Sequence, residues 1–102
     1  MAAEIPEGLA LENVWAVEAD YAPDAAERRP AVRVEHLARI GRLMADGTIV
    51  MAGAYADMSG SLVVVRAASE EAALDIVKDD VYVRAGVWTG FRVRAMGLVS
   101  RT

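Results

Sequence analysis

The sequence predicts a single α+β domain with a four-stranded antiparallel sheet and two helices, in the order β-α-β-β-α-β. Its 102 residues suffice for one hydrophobic core and not for two. A composition of 55% hydrophobic and 25% charged residues is typical of a globular domain. Apolar segments with the composition of strands are separated by two segments whose apolar residues recur at helical spacing.

The first strand is predicted at residues 13–22, "NVWAVEADYA". Four consecutive apolar residues near its start point to both faces of a sheet, which is typical of a strand covered on both sides. The preceding residues 1–12 contain Pro6 and Gly8 and are expected to form a loose N-terminal extension. The single domain is therefore expected at residues 13–102.

The first helix is predicted at about residues 31–46. The segment "PDAAERRP" at 23–30 has a proline at each end, so we expect a loop there. Pro30 then lies in the first helical turn, where its fixed φ is favourable and its missing N–H is not needed. Gly47 follows the last residues of the helical pattern and is expected to end the helix as its C-cap.

A β-hairpin is predicted at residues 48–67. The segments "TIVMAGAYA" at 48–56 and "SLVVVRA" at 61–67 have the composition of strands, and the intervening "DMSG" has that of a turn. Gly53, in the middle of its strand, weakens that strand and indicates a bulge or a close approach by another group.

A second helix and a last strand follow the hairpin. Ser69 is a favourable N-cap, and the two glutamates after it place negative charge at the positive end of a helix predicted at about 70–78. Residues 79–86, "DDVYVRAG", are expected to form an irregular or short helical connection. The segment "VWTGFRVRAMGLV" at 87–99 is predicted as a long final strand.

This order of elements is the ferredoxin-like, split βαβ arrangement. Two helices cover only one face of a four-stranded sheet, whereas the predicted strands are apolar on both faces. We therefore expect the second face to pack against the same face of another copy, giving a homodimer of the dimeric α+β barrel kind.

Composition and charge exclude several classes of partner. The formal net charge is −4 and no face rich in lysine and arginine is apparent, so we expect no nucleic acid as a partner. Cysteine is absent and histidine occurs once, so we expect no disulfide, no metal and no cofactor. No glycine-rich phosphate loop is present, which argues against nucleotides. The acidic N-terminus and the short apolar runs predict a cytoplasmic protein without a membrane partner.

The one histidine of the chain lies in the first predicted helix, within "RVEHLARI" at 33–40. Arg33, His36 and Ile40 are three or four residues apart, so they share one side of the helix. One interpretation places the imidazole at the edge of the core or in solvent, with the arginine extended toward water. The other makes His36 a proton-transfer group in a pocket, which requires a carboxylate on its second ring nitrogen.

Asp79 and Asp80 are candidates for that carboxylate. They end the second predicted helix, where the helix dipole disfavours negative charge, and they precede an apolar stretch that is expected to pack. A carboxylate held there against the local preference suggests a functional role. The alternative is that both side chains face water.

Three segments resemble the YCII family of YciI-like proteins: "RVEHLARI" at 33–40, "DGTIVMAGAY" at 46–55 and "SEEAALDIVKDDVYVRAGVW" at 69–88. The resemblance extends over about residues 13–98. It implies a ferredoxin-like dimer of the dimeric α+β barrel kind. It also implies that His36 and Asp80 form a catalytic pair, that Arg33 matches the arginine of the family, and that Tyr82 matches its aromatic residue after an Asp-Pro step.

The sequence departs from the family pattern at two prolines. Val81 replaces the proline after Asp80, and Ala54 replaces the proline that often follows the mid-chain glycine. Because a proline restricts the residue before it, its loss leaves Asp79 as a possible substitute for Asp80.

The resemblance implies an enzyme of the lyase, hydrolase or isomerase type, dehydrochlorinase-like activities included, that acts on a small organic substrate, anionic or aromatic. His36 would be its general acid and base, Asp80 would orient the imidazole, and Arg33 would bind a carboxylate or phenolate of the substrate. The wall of the pocket is expected to contain Met51, Gly53, Tyr82 and Trp88. For Trp88, a place in the core of the dimer is an equally good expectation.

Two other functions stay open at this point. The first is a non-catalytic ligand-binding or accessory module of the same fold, in which His36 and Asp80 form a buried structural pair. The second is an oxygenase of the same barrel fold, although such enzymes depend on other residues or on haem. Variants of the pair that leave the protein folded would favour catalysis over a structural role.

Overall fold

The structure, a computed structural model, describes residues 4–102. Its elements are β1 (Leu9–Tyr21), α1 (Ala25–Ala45), β2 (Ile49–Ala54), β3 (Gly60–Val65), α2 (Glu70–Lys78), α3 (Val81–Arg84) and β4 (Trp88–Arg101). The strands form one antiparallel sheet in the order β2-β3-β1-β4. The predicted α+β class with a four-stranded antiparallel sheet is confirmed, and α3 lies in the connection that was expected to be irregular or short helical.

Strands β1 and β4 are longer than predicted and form a two-stranded arm. Residues 9–12 of β1 pair with residues 98–101 of β4, beyond the end of β3, which pairs only with residues 15–20 of β1. Part of the expected N-terminal extension is therefore strand, because the backbone of β4 supplies its hydrogen bonds. The first three residues of that extension lie outside the described part of the chain.

Helix α1 begins six residues before its predicted start, so the expected loop at 23–30 is largely helical. Pro30 is the sixth residue of the helix, where it removes the hydrogen bond to a single carbonyl group. It lies on the exposed side, and the backbone N–H groups of Glu27 and Arg28 donate to the carbonyl of Asp24 at the helix start. The prediction that Pro30 lies in the first turn of the helix is therefore wrong, because a helix tolerates one missing donor in its second turn.

A β-bulge in β2 changes which side chains face the helices. Ile49 lies opposite Val65, whereas Met51 lies opposite the next residue, Val64, so β2 advances two residues for one of β3. Side chains after the bulge therefore point to the opposite face from the one that regular alternation would give. Ile49 packs in the core beneath the helices, and Met51 lies on the opposite face with 48% of its surface exposed.

All three helices cover the same face of the sheet. The core between them contains Val17 and Val63 from the sheet, Ile40 from α1 and Val77 from α2, all buried. The other face carries charged side chains beside its apolar ones, among them the ion pair of Arg92 with residues of β1. The expectation that the strands are apolar on both faces is therefore corrected: the face away from the helices has both charged and apolar side chains. In residues 4–102, none of the helices is both long and apolar enough to cross a membrane.

Candidate active site

The structure brings His36 and Asp80 together, although they are 44 residues apart in sequence. His36 Nδ1 lies 2.8 Å from Asp80 Oδ1. Both residues are buried: His36 is 8% exposed and Asp80 is fully enclosed. His36 is held there by α1, which packs its Ile40 side on the core, and Asp80 by the junction of α2 and α3.

Asp80 accepts hydrogen bonds on both of its carboxylate oxygens. Oδ1 accepts from His36 and from the backbone N–H of Tyr82 at 2.9 Å, and Oδ2 accepts from Arg39 Nη1 at 3.3 Å. Burial alone would raise the pKa of Asp80, but hydrogen bonds from His36 and Tyr82 and the charges of His36 and Arg39 lower it below its ordinary value. The carboxylate is therefore ionised at neutral pH.

The position of Asp80 follows from helix capping rather than from a strained helix end. Asp80 is the N-cap of α3, with an extended backbone and a side chain that accepts from the N–H of Tyr82. Aspartate is among the preferred residues for this role. Asp79, the C-cap of α2, has a side chain that is 81% exposed and is not placed to replace Asp80. Val81 occupies the first position of α3 without displacing Asp80.

Arg39 is a residue of the site that was not predicted from the sequence. Its Nη1 group contacts Asp80, and its Nη2 group donates to the backbone carbonyl of Ile76 at 2.6 Å. The guanidinium group therefore joins α1 and α2 beside the carboxylate. Arg39 follows His36 by three residues, so its place on the same side of the helix was the available signal.

Two aromatic rings enclose the imidazole. Tyr82 stacks on His36 with ring centroids 3.7 Å apart and planes 8° from parallel. Trp88 meets His36 edge to face at 5.3 Å and meets Tyr82 in the same way at 5.3 Å. Burial is the main reason that the pKa of Tyr82 lies above its ordinary value, so its phenol stays protonated. Within the described residues, the buried indole N–H of Trp88 has no hydrogen-bond partner.

A cleft of about 180 Å³ opens beside the imidazole, between α1 and the sheet. Of the residues predicted to form its wall, Gly53, Tyr82 and Trp88 line it, as does Arg33. Met51 does not, and that prediction is corrected: the bulge in β2 turns Met51 to the opposite face of the sheet. The alanines on either side of Gly53 line the cleft instead.

The polar residues of the cleft are donors or bases. Arg29, Arg33 and His36 are basic, Tyr21 and Ser61 carry hydroxyl groups, and none of the described lining residues is acidic. Tyr21, Arg29 and Ser61 were not predicted as site residues. For Arg29 the reason is the assignment of residues 23–30 to a loop, which concealed that it lies two turns before His36 on the same helix.

The hydrogen bond to Asp80 determines which nitrogen of His36 can react. An ionised carboxylate has no proton to donate, so the neutral imidazole carries its proton on Nδ1. Nε2 then bears the lone pair and has no hydrogen-bond partner among the described residues. When Nε2 takes a proton, the adjacent carboxylate stabilises the imidazolium. In residues 4–102, no group of three or more His, Cys, Asp or Glu side chains is placed to hold a metal ion.

Comparison with solved structures gives a match to 5-chloro-2-hydroxyhydroquinone dehydrochlorinase (TftG) from Burkholderia phenoliruptrix AC1100, in complex with 2,5-dihydroxybenzoquinone. The TM-score is 0.68 at 22% sequence identity, over 79% of this chain and 90% of that one. The likeness therefore shows a shared fold.

Comparison of sequences shows the family. An uncharacterized protein of Haemophilus influenzae (strain ATCC 51907 / DSM 11121 / KW20 / Rd) is 32% identical over 90 residues, which cover 78% of this chain and 92% of the relative. The sequence model of the YCII-related domain matches residues 14–97, which contain both His36 and Asp80. The chain therefore belongs to the YCII family.

Proposed function

We propose that this protein is an acid–base enzyme that eliminates a leaving group from a small oxygenated ring compound. The observation that carries the proposal is the 2.8 Å contact of buried Asp80 with His36, whose ring lines a cleft with basic side chains and, among its described lining residues, no acidic ones. In this proposal His36 is the catalytic base, Asp80 is a positioning residue, and Arg33 binds an ionised oxygen of the substrate.

The proposed reaction proceeds through the keto tautomer of the ring, in which one hydroxyl proton has moved to the carbon that bears the leaving group and that carbon is tetrahedral. Nε2 of His36 then removes the proton of a second ring hydroxyl. The electron pair of the broken O–H bond forms a C=O bond, the adjacent C=C bond shifts by one position, and the leaving group departs with the electrons of its own bond. Asp80 stabilises the imidazolium until its proton passes to solvent. Positioned proton transfer of this kind contributes roughly a hundred- to ten-thousand-fold in rate.

The substrate class is proposed from two observations. The cleft of about 180 Å³ lies below the roughly 300–1,000 Å³ of typical ligand pockets, which favours a single ring. The structural neighbour TftG is named as a dehydrochlorinase and was solved with a dihydroxybenzoquinone. Aromatic walls from Tyr82 and Trp88 suit a planar ligand.

The proposal is tested with two compounds. The first is 5-chloro-2-hydroxyhydroquinone, from which chloride release is measured; the second is its unchlorinated analogue, whose ring hydrogens are followed by NMR for exchange with deuterium from D₂O. We expect the protein to accelerate at least one of these reactions and His36→Gln to lower that rate about a hundredfold or more.

Arg28→Gln is the matched control for these assays. Arg28 lies on α1, pairs with Asp24 at 2.7 Å and does not line the cleft, so we expect its loss to leave the rate unchanged. The proposal fails if neither compound reacts faster than without protein, or if a folded His36→Gln variant keeps the rate.

A non-catalytic binding module is the second candidate, and one observation favours it. Asp80 caps α3 and accepts from Arg39, so a purely structural role would explain its burial without any reaction. Under this function the compounds bind, the His36→Gln variant changes their affinity, and no turnover is observed.

We also propose that the chain forms a homodimer through the sheet face that no helix covers. Met51 is exposed there beside the half-buried Leu62, and the charged side chains of that face would lie around this apolar patch. We expect light scattering to give the mass of a dimer and Leu62→Asp to yield monomers, whereas Val34→Asp, on the exposed side of α1, stays dimeric. A wild-type mass of a monomer at all concentrations contradicts the proposal.

A further inference from the structure

The cleft contains more positive charge than the proposed chemistry uses. His36 serves as the base and Arg33 as an anion ligand, yet Arg29 also lines the cleft. Its neighbour Arg28 pairs with Asp24, whereas no carboxylate among residues 4–102 lies within 4.0 Å of the Arg29 guanidinium. A chain with a net charge of −4 thus places two arginines and a histidine along one side of a cleft whose described lining residues include no acidic one.

Arg29 belongs to a group of three donors, formed with Tyr21 of β1 and Ser61 of β3. Ser61 Oγ lies 3.1 Å from the hydroxyl oxygen of Tyr21, and Arg29 Nη1 lies 3.4 Å from the same oxygen. Ser61 is 5% exposed, and Tyr21 and Arg29 are partly buried. The three side chains come from three different elements, and all of them line the cleft.

The hydrogen bonds within this group leave one donor without an acceptor. The oxygen of Tyr21 accepts from Arg29. Ser61 and Tyr21 share one hydrogen bond between two hydroxyl groups, so one of their two O–H protons is left to donate elsewhere, and no described residue accepts it. The remaining N–H groups of Arg29 are directed at no carboxylate, although Met58 Sδ lies 3.5 Å from Nη1. A free O–H proton beside the guanidinium group of Arg29 is complementary to an anionic oxygen.

We infer that Tyr21, Arg29 and Ser61 form a second anion subsite, so that the ligand of this cleft carries two ionised oxygens. One would lie at Arg33, beside His36, and the other at Arg29 and the hydroxyl pair of Tyr21 and Ser61. The inference rests on the proposed function for the place of the reaction, and it adds the chemical class of the ligand: a ring with carboxylate or enolate oxygens at both ends.

The geometry of α1 sets the separation of the two ends. Arg29 precedes Arg33 by four residues and His36 by seven, which is about 6 Å and about 10.5 Å along a helix axis at 1.5 Å per residue. A cleft of about 180 Å³ with that extent accommodates one ring with substituents at opposite positions rather than a nucleotide or a long chain.

The test compares the equilibrium binding of benzoate, terephthalate and 2,5-dihydroxybenzoquinone by titration calorimetry. Benzoate carries one anionic group, terephthalate two carboxylates and the quinone two enolic oxygens. We expect at least one of the two doubly ionised compounds to bind about tenfold or more tightly than benzoate, and Arg29→Gln to abolish that advantage. Tighter binding of terephthalate would indicate that the ligand carries carboxylates, and tighter binding of the quinone would indicate enolate oxygens. Tyr21→Phe, which removes the hydroxyl group but keeps the charge of Arg29, should abolish part of this advantage.

Arg28→Gln is again the matched control, because it removes the same charge from the adjacent residue outside the cleft. If neither doubly ionised compound binds more tightly than benzoate, or if Arg28→Gln abolishes the advantage as fully as Arg29→Gln, the inference is overturned. The same titrations in the His36→Gln background measure binding without turnover. A preference for the doubly ionised compounds would therefore support the subsite even if the proposed reaction is not observed. Conversely, a protein that catalyses the proposed reaction but binds neither doubly ionised compound more tightly than benzoate would refute the second subsite and leave the proposed function standing.

Discussion

Replacement of Asp80 by asparagine tests how the buried carboxylate is held. The amide oxygen of asparagine can still accept from His36 and from the N–H of Tyr82, and asparagine is as good an N-cap as aspartate. Its NH₂ group, however, would face the guanidinium group of Arg39, donor against donor. The variant therefore loses one charge-assisted hydrogen bond outright and weakens two others.

The magnitude follows from these three contacts. A hydrogen bond to a charged group contributes about 1.5–3 kcal/mol, and neutral hydrogen bonds are roughly half as strong as charged ones. We expect Asp80→Asn to lower the free energy of unfolding by about 3 kcal/mol, as is usual when a buried ion pair loses one partner. The matched control is Asp79→Asn, whose exposed side chain predicts a change within about 0.5 kcal/mol.

The pH dependence of the same variant gives a second test. The pKa of Asp80 is lowered in the folded protein, and the unfolded value is about 3.9. The carboxylate therefore contributes its full stabilisation above the unfolded pKa and loses it as the pH falls through the folded pKa. Urea unfolding from pH 7 to pH 3 should show a constant difference between wild type and Asp80→Asn near neutrality, which shrinks below about pH 4. Equal unfolding free energies of Asp80→Asn and Asp79→Asn at pH 7 would refute this account.

Two backbone substitutions test local geometry. Val81→Pro places proline at the first position of α3, after Asp80, whose φ of −82° and ψ of 147° suit the residue before a proline. We expect a gain of up to about 0.5 kcal/mol in urea unfolding, mainly through the unfolded chain, and a loss above 1 kcal/mol would contradict it. Gly60→Ala would place its Cβ against the backbone carbonyl of Ala19, which cannot move within the sheet. We expect a loss of about 2 kcal/mol or more in thermal or urea unfolding, whereas Gly97→Ala, with no atom within 4 Å of its Cβ, should be close to neutral.

The order of elements could be predicted because hydrophobic periodicity and caps are local properties of the sequence. Ser69 is such a case, since its side chain accepts from the N–H of Ala72 at the predicted helix start. The start of α1 could not be predicted from the proline alone, because a helix held by long-range packing tolerates one missing donor. The bulge after Ile49 could not be predicted either, because it depends on how β2 pairs with β3.

The contact between His36 and Asp80 was predicted through the family resemblance and through the unusual place of two acidic residues. The sequence pattern could not distinguish Asp79 from Asp80, because the distinction depends on which of them caps α3. Arg39, Tyr21 and Ser61 were not predicted because their contacts are made across elements far apart in the chain. Such contacts become visible only when the register of the sheet and the rotation of α1 are known.

The contact between the Trp88 indole and the imidazole allows the site to be followed by intrinsic tryptophan fluorescence. The chain has two tryptophans, and the other, Trp15, is held apart by a hydrogen bond from its indole N–H to the carbonyl of Ala67. A Trp15→Phe background leaves a single fluorophore, whose indole lines the cleft and contacts the imidazole. Its emission can then report the entry of an anion into the cleft without a substrate, a label or turnover.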